Sequence, residues 1–386
     1  MSSDLGAALT TANLIEPDYA GKSLGAVLPA AAAALGVDVP GGSAAMQQLG
    51  VPRADRVCVV LVDGMGRRML TERAGHAPFL RGLIDSSQVL TVGYPSTTAT
   101  SLGLFGTGRA AGRTGLAGYT VRNPATGTLA NLISWAGAGP AELWQREPSI
   151  FSLVEEAGVR VHSVGPARFA GSGLTRAALH GSQYVPAESM TARADTAARL
   201  LREPGLVYLY WGGVDKVGHA NGWQSAAWAD ALTEVDDGLS RLARSMPEGT
   251  LLLVTADHGM VDVDHETFVD VAAVPMLSDG VELITGEPRA TYVHVADGGT
   301  EEVLTRWRDL LGDRAVVARR DEAIAAGWFG PVADHVLPLI GDLVVAAAGR
   351  FGVVDSRTQT PHSLWLRGMH GSLTPEEMQV PLLMAG

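Results

Sequence analysis

One cysteine stands in 386 residues. Cys58 lies inside the apolar run VCVVLV, has no possible internal partner, and so excludes a disulfide-stapled fold. Positive charge is also scarce: 29 Lys and Arg face 41 Asp and Glu, for a net charge of −12. No dense basic block exists, which argues against a platform for nucleic-acid backbones. Long apolar runs are missing too. GAVLPAAAAALGV, from Gly25 to Val37, is too short and alanine-rich to span a bilayer and reads as a packed helix. The first thirty residues lack the charged start and apolar core of a signal peptide, so a cytoplasmic protein is expected.

What is present is a globular composition, with 46% hydrophobic and 18% charged residues, and 47 glycines that call for many tight loops. Apolar strand-like runs recur at Val57–Asp63, Val89–Tyr94, Val159–Val164, Val207–Trp211, Thr250–Asp257 and Val380–Ala385. Several are continuously apolar, as strands covered on both faces are. Helical patterns lie between them. The clearest runs from about Trp223 to Arg244, with Ala227, Ala231, Val235, Leu239 and Leu242 on one stripe. The alternation predicts an α/β fold with a mostly parallel central sheet and helices on both faces. From about 262 to 366 the texture changes: ATYVHV, AVVAR and GDLVVAAAG surround one helix, Thr300–Leu311. This segment reads as a small inserted α+β lid within a single catalytic domain spanning 1–386.

Open α/β sheets bind ligands at the carboxyl ends of their strands. There the sequence delivers Asp63 (VDGMG), Asp215 and His219 (DKVGH), and Asp257 and His258 (TADHGM), with His370 (MHGS) just before the last strand. Three aspartates and three histidines suit two borderline cations with mixed oxygen and nitrogen ligands, zinc above all. Such a pair serves in-line displacement at phosphorus. VDGMG is not a dinucleotide loop: its third glycine position holds Met69, and Asp63 would repel a pyrophosphate. Glycines in and before DKVGH favour a loop over a helix there. The histidines at 76, 162, 180, 265, 294, 335 and 362 read as structural.

YPSTTATSLGLFGTG, Tyr94–Gly108, places a cluster of hydroxyls at the start of a helix near Thr98. Ser96 or Thr97 would cap it. A hydroxyl in the first turn also faces free amides and the positive end of the helix dipole. Residue types alone leave Ser96, Thr97, Thr98, Thr100 and Ser101 as candidate nucleophiles.

In order, VDGMG, YPSTTATSLGLFGTG, DKVGH, TADHGM and MHGS resemble the alkaline phosphatase superfamily, in particular its nucleotide pyrophosphatase/phosphodiesterase branch. The resemblance implies a two-zinc hydrolase of phosphodiester or pyrophosphate bonds, acting on a small phosphate ester or nucleotide-like substrate through a covalent phosphoenzyme. It puts the nucleophile three residues after Pro95, at Thr98. It implies one metal held by Asp63, Thr98, Asp257 and His258 and another by Asp215, His219 and His370. Two departures stand out. Ala99–Ser101 replaces the Phe-Pro-Asn that follows the nucleophile in diesterase relatives, and Tyr119 falls where they carry an oxyanion-binding Asn. Tyr119 would donate a hydrogen bond or form an aromatic wall. Trp211 beside DKVGH is a candidate stacking surface for the substrate, or a core aromatic ending its strand. A monoesterase or a phosphonate hydrolase could use the same site. A sulfatase would need an oxidisable Cys or Ser at the nucleophile, and a mutase a larger insertion. A non-catalytic binding protein would have lost ligands that this chain keeps.

Overall fold

The computed structural model describes residues 2–386. Seven strands form the central sheet: β1 (Arg56–Val62), β2 (Gln88–Thr91), β5 (Val161–Gly165), β6 (Gln183–Pro186), β7 (Gly205–Trp211), β8 (Thr250–Thr255) and β17 (Gln379–Ala385). Their order is β2-β17-β8-β1-β7-β5-β6. β1 pairs in parallel with both β7 and β8, and β5 with β6 and β7; β17 is antiparallel to its two neighbours. The in-register pairs Val62–Trp211 and Leu61–Thr255 end three adjacent strands at one level. The loops carrying Asp63, Asp215 and Asp257 therefore leave the sheet side by side. Val57 to Val62 of β1 are fully buried, which explains the unbroken apolar run that carries Cys58.

A hairpin, β3 (Thr120–Arg122) and β4 (Leu129–Asn131), follows the Tyr119 loop. Beyond β8, two short ladders pair β9 (Val261–Asp262) with β16 (Gly368–Met369), and β10 (Val269–Asp270) with β15 (Val353–Val354). Between them lies a second, antiparallel sheet of β11 (Val281–Glu287), β12 (Ala290–Val295), β13 (Ala315–Arg319) and β14 (Leu343–Ala347), ordered β11-β12-β14-β13. The helix Thr300–Leu311 packs on β13, and a separate apolar cluster around Trp307 fills this layer.

All six strands expected in the central sheet are present, with ends shifted by up to three residues. β6 and the β3–β4 hairpin were not anticipated; both are short and lack a clear apolar alternation. The long helix runs Ala226–Ser245 and starts later than expected because the Ser225 side chain accepts from the Trp228 amide. Its buried stripe is also displaced at the start. Trp228, Ala229 and Leu232 face the core, while Ala227 is exposed and Ala231 half-buried, since the large indole claims the inward position. Val27–Ala34 is the expected packed helix and is entirely buried. Among the described residues, no helix is long and apolar enough to cross a membrane.

Candidate active site

Asp63 follows β1, and Gly64 after it adopts φ +73°. A Cβ on Gly64 would stand 2.9 Å from the Asp215 Cβ, so glycine lets two acidic loops approach. The Gly64 amide donates to Asp257 Oδ1 at 3.1 Å and fixes that carboxylate. DKVGH is helical rather than a loop: Gly213–Asn221 forms a helix that puts Asp215 and His219 one turn apart on one face. The glycines that suggested a loop serve contact instead, as Gly218 packs against Met260 and Trp228.

Two groups of ligand-type side chains result: Asp63, Asp257 and His258, all buried, and the partly buried Asp215 and His219 with the buried His370. Each histidine presents Nδ1 to a backbone carbonyl. His258 meets Gly259 O at 3.0 Å, His219 meets Gly368 O at 2.7 Å and His370 meets Ser96 O at 3.0 Å. A carbonyl can only accept, so Nδ1 carries the proton and the Nε2 lone pair is free to coordinate. His258 Nε2 lies 3.4 Å from Asp63 Oδ1 and 3.6 Å from Asp257 Oδ2; His219 Nε2 lies 3.3 Å and His370 Nε2 3.8 Å from Asp215 Oδ1. These same three carboxylate oxygens are buried without a hydrogen-bond partner among the described residues. Unpartnered carboxylate oxygens facing imidazole lone pairs fit a cation better than any protein group.

The electrostatics agree. Burial, then the neighbouring Asp257 and Asp215, holds the Asp63 carboxyl well above the usual range. Burial also raises Asp257, partly offset by His258. Burial, then His258 and His219, keeps His370 well below the usual imidazole range. A divalent cation in each group would reverse the carboxylate penalties and would bind the neutral imidazoles.

Thr98 opens the helix Thr98–Thr107, and its Oγ1 lies 3.2 Å from His258 Nε2. Thr97 holds the N-cap position, yet neither anticipated side chain caps the helix. The Thr97 side chain makes no cap bond, and Ser96 Oγ donates to Ser372 O at 2.6 Å. That bond and the Ser96 amide donating to Gly371 O tie the loop before Thr98 to the His370 loop. Of the five candidate hydroxyls, Thr98 is, among the described residues, the one hydrogen-bonded to a histidine of these two groups.

A cavity of about 330 Å³ opens beside Thr98 and is bordered by Asp63, Asp215, His219 and His370. Tyr119 lines it and is 41% exposed. Trp211 does not line it. Its indole is buried under the Arg193 guanidinium, 4.6 Å from the ring, so here the core-aromatic alternative holds over the stacking surface. Three features lie outside the residues that the sequence motifs single out. The Tyr210 hydroxyl donates to Asp63 Oδ2. The turn between β11 and β12 inserts Glu287 and Arg289 beneath the site. Arg168 and Lys216 line the cavity and make no ion pair among the described residues. Tyr210 had a signal, being the residue two before the glycine pair of the DKVGH segment; Glu287, Arg289 and Lys216 had none.

A mostly parallel sheet with two acid–imidazole groups at its carboxyl edge, beside a threonine on a helix start, defines the alkaline-phosphatase-like class. The profile of the type I phosphodiesterase / nucleotide pyrophosphatase family matches residues 57–373, and the chain belongs to that family, within the alkaline phosphatase superfamily. Among solved structures, murine ectonucleotide pyrophosphatase / phosphodiesterase 5 superposes with a TM-score of 0.66 at 17% identity, covering 85% of this chain and 87% of that one. Phosphonoacetate hydrolase from Sinorhizobium meliloti 1021 gives 0.66 at 20% identity, covering 86% and 90%. In sequence, phosphopentomutase of Caldanaerobacter subterraneus subsp. tengcongensis is 28% identical over 185 residues, 46% of this chain and 45% of the relative. Human ectonucleotide pyrophosphatase/phosphodiesterase family member 5 is 24% identical over 218 residues, 49% and 44%. The chain thus spans less than half the length of the curated relatives it matches.

Proposed function

We propose that this chain is a hydrolase of phosphodiester or nucleotide pyrophosphate bonds, working through a covalent phosphothreonine at Thr98 with two divalent cations. The observation that carries the reading is the contact of Thr98 Oγ1 with His258, beside carboxylate oxygens that lack partners. Asp63, Asp257 and His258, with Thr98, would hold one cation; Asp215, His219 and His370 would hold the other. Zinc suits this nitrogen and oxygen donor set. When bound, such cations supply Lewis acidity that makes hydroxyls better nucleophiles and neutralises phosphoryl charge.

The chain's own residues do the rest. The helix start presents amides without intrahelical acceptors at Thr98 and Ala99, where phosphoryl oxygens gain hydrogen bonds. Thr98 Oγ1 forms the bond to phosphorus in line with the departing oxygen, whose bond breaks and which takes up the proton that Thr98 loses. Water then attacks from the side the leaving group vacated, the Thr98 Oγ1–phosphorus bond breaks, and Thr98 regains a proton. Two inversions give net retention at phosphorus. Tyr119 borders the cavity and would donate to a phosphoryl oxygen. Residues 262–366 act as an inserted subdomain whose β11–β12 turn supports the site. Two relatives add weight: a murine threonine-to-alanine form described as inactive was solved with AMP, and the Sinorhizobium enzyme with phosphonoacetate.

A second reading, cleavage of a phosphomonoester or phosphonate, is favoured by the unpaired Arg168 and Lys216, which would suit a second negative charge. The zinc-reconstituted protein should cleave bis(p-nitrophenyl) phosphate faster than p-nitrophenyl phosphate. The opposite order would favour the second reading, and inertness toward both would reject the first.

A further inference from the structure

The sheet of β11 to β14 is held from both faces. Alternate residues of β12 and β14 enter different cores: Tyr292, Val344 and Ala346 join the main one, and Val293, Val345 and Ala347 join the cluster around Trp307. The turn between β11 and β12 is pinned as well, because Arg289 meets the buried Glu377 at 2.7 Å. From this sheet, contacts reach the segment that carries Tyr119. Thr120 Oγ1 donates to Gly286 O at 2.7 Å, and the Tyr292 hydroxyl donates to Ala117 O at 2.8 Å. Arg122, further along, pairs with Glu282 at 2.9 Å. Tyr119 thus stands between two points that the sheet fixes.

Glu287, the last residue of β11, faces three segments of the site at once. Its carboxyl meets the Tyr119 amide and the Thr97 side chain. Gly371 packs so closely that a Cβ there would stand 2.7 Å from Glu287 Cγ. The residue is buried, and its Oε1 has no partner among the described residues. An apolar side chain of similar size would fill this place without leaving an oxygen unpaired, so packing alone does not account for a carboxyl here. Burial pushes the carboxyl up to about 8, so near neutral pH it accepts hydrogen bonds without adding a negative charge beside an anionic ligand. Glu287 does not line the cavity, whereas Thr97, Thr98 and Tyr119 do. We propose that Glu287 is a positioning residue: braced by the inserted sheet, it holds the Tyr119 segment against the start of the Thr98 helix and so aligns the Tyr119 phenol on the phosphoryl group. The proposal deepens the reading of the chain as a phosphoester hydrolase and rests on it for the phosphoryl ligand.

A double-mutant cycle on binding tests this without turnover. Inorganic phosphate is titrated calorimetrically into the zinc-reconstituted wild type, Tyr119→Phe, Glu287→Ala and the double variant, at matched zinc content. Each single variant should weaken binding by about tenfold, and the double variant by about the same factor, because Glu287 acts through Tyr119. Glu287→Gln keeps the shape and an uncharged acceptor oxygen and should bind within about twofold of wild type. Losses that multiply in the double variant, unchanged affinity in either single variant, no rescue by glutamine, or no phosphate binding by wild type would overturn the proposal. Thr120→Val provides a second route if Glu287→Ala does not fold, since it removes one grip of the sheet at a half-buried side chain. It should weaken phosphate binding in the wild-type background and not in Tyr119→Phe; an equal effect in both backgrounds counts against the brace. Failure of wild type to hydrolyse either nitrophenyl ester would reject the catalytic reading, and the phosphate affinities would still decide the role of Glu287.

Discussion

The imidazoles of His258 and His370 stack with ring centroids 3.6 Å apart and an interplanar angle of 19°, although they belong to different groups of candidate ligand side chains. The two groups therefore share a wall. Each ring is pinned by a carbonyl from a different segment, Gly259 for His258 and Ser96 for His370. Ser96 is two residues before Thr98, so the loop that carries Thr98 itself orients the His370 ring.

Metal content follows from this division. The wild type should bind two zinc ions per chain, and Asp257→Ala and His370→Ala should each retain about one, by elemental analysis after dialysis. Exhaustive chelation should abolish turnover, and zinc should restore it. Two ions retained in both variants would contradict the assignment of ligands.

Tyr210 donates to Asp63 Oδ2 and leaves Oδ1 facing His258. Tyr210→Phe should weaken zinc binding in that group by about 10–100-fold, read by competition with a chelating dye. The Asp215, His219 and His370 group should keep its affinity. An unchanged isotherm would show that Asp63 needs no such support.

Glu287 couples stability to pH. Burial pushes its carboxyl from 4.5 up to about 8, partly offset by the Thr97 side chain and the Tyr119 amide. Unfolded, the group ionises near the lower value; folded, near the higher. Its contribution is thus full below 4.5 and is lost as pH rises through 8. Between pH 5 and 8.5 the wild-type Tm should fall by about 2–5 °C more than that of Glu287→Gln. Parallel Tm curves would mean that Glu287 does not hold its proton.

Arg289 and Glu377 form a fully buried ion pair, with contacts of 3.1 and 2.7 Å. Glu377 also accepts from the Ser372 amide and the Thr374 hydroxyl, so the pair anchors the chain just after His370. Arg289→Met leaves a buried carboxylate unpaired and should cost about 3–5 kcal/mol by denaturant unfolding. A loss under about 1 kcal/mol would show that the hydroxyl and amide suffice for Glu377.

The strands, and the clustering of the six acid and imidazole side chains, were legible because buried parallel strands write continuous apolar runs and five of the six candidate ligands follow such a run. The Asp215–His219 helix was hidden by its glycines, whose role is contact with Met260 and Trp228. Trp211 looked available only because sequence does not say which face of a strand end is covered, and Arg193 covers it. Glu287 and Arg289 were invisible because they reach the site from β11–β12, far along the chain, and nothing local marks either side chain as buried. Thr98 could be told from its hydroxyl neighbours only by resemblance until its contact with His258 was seen.

The most direct test of the account is turnover of bis(p-nitrophenyl) phosphate by Thr98→Ala at matched zinc content. The account predicts a loss of at least about a thousandfold in kcat, with Asp63, Asp257 and His258 still retaining their metal. Turnover within tenfold of the wild type would remove Thr98 as the nucleophile, and with it the phosphothreonine intermediate.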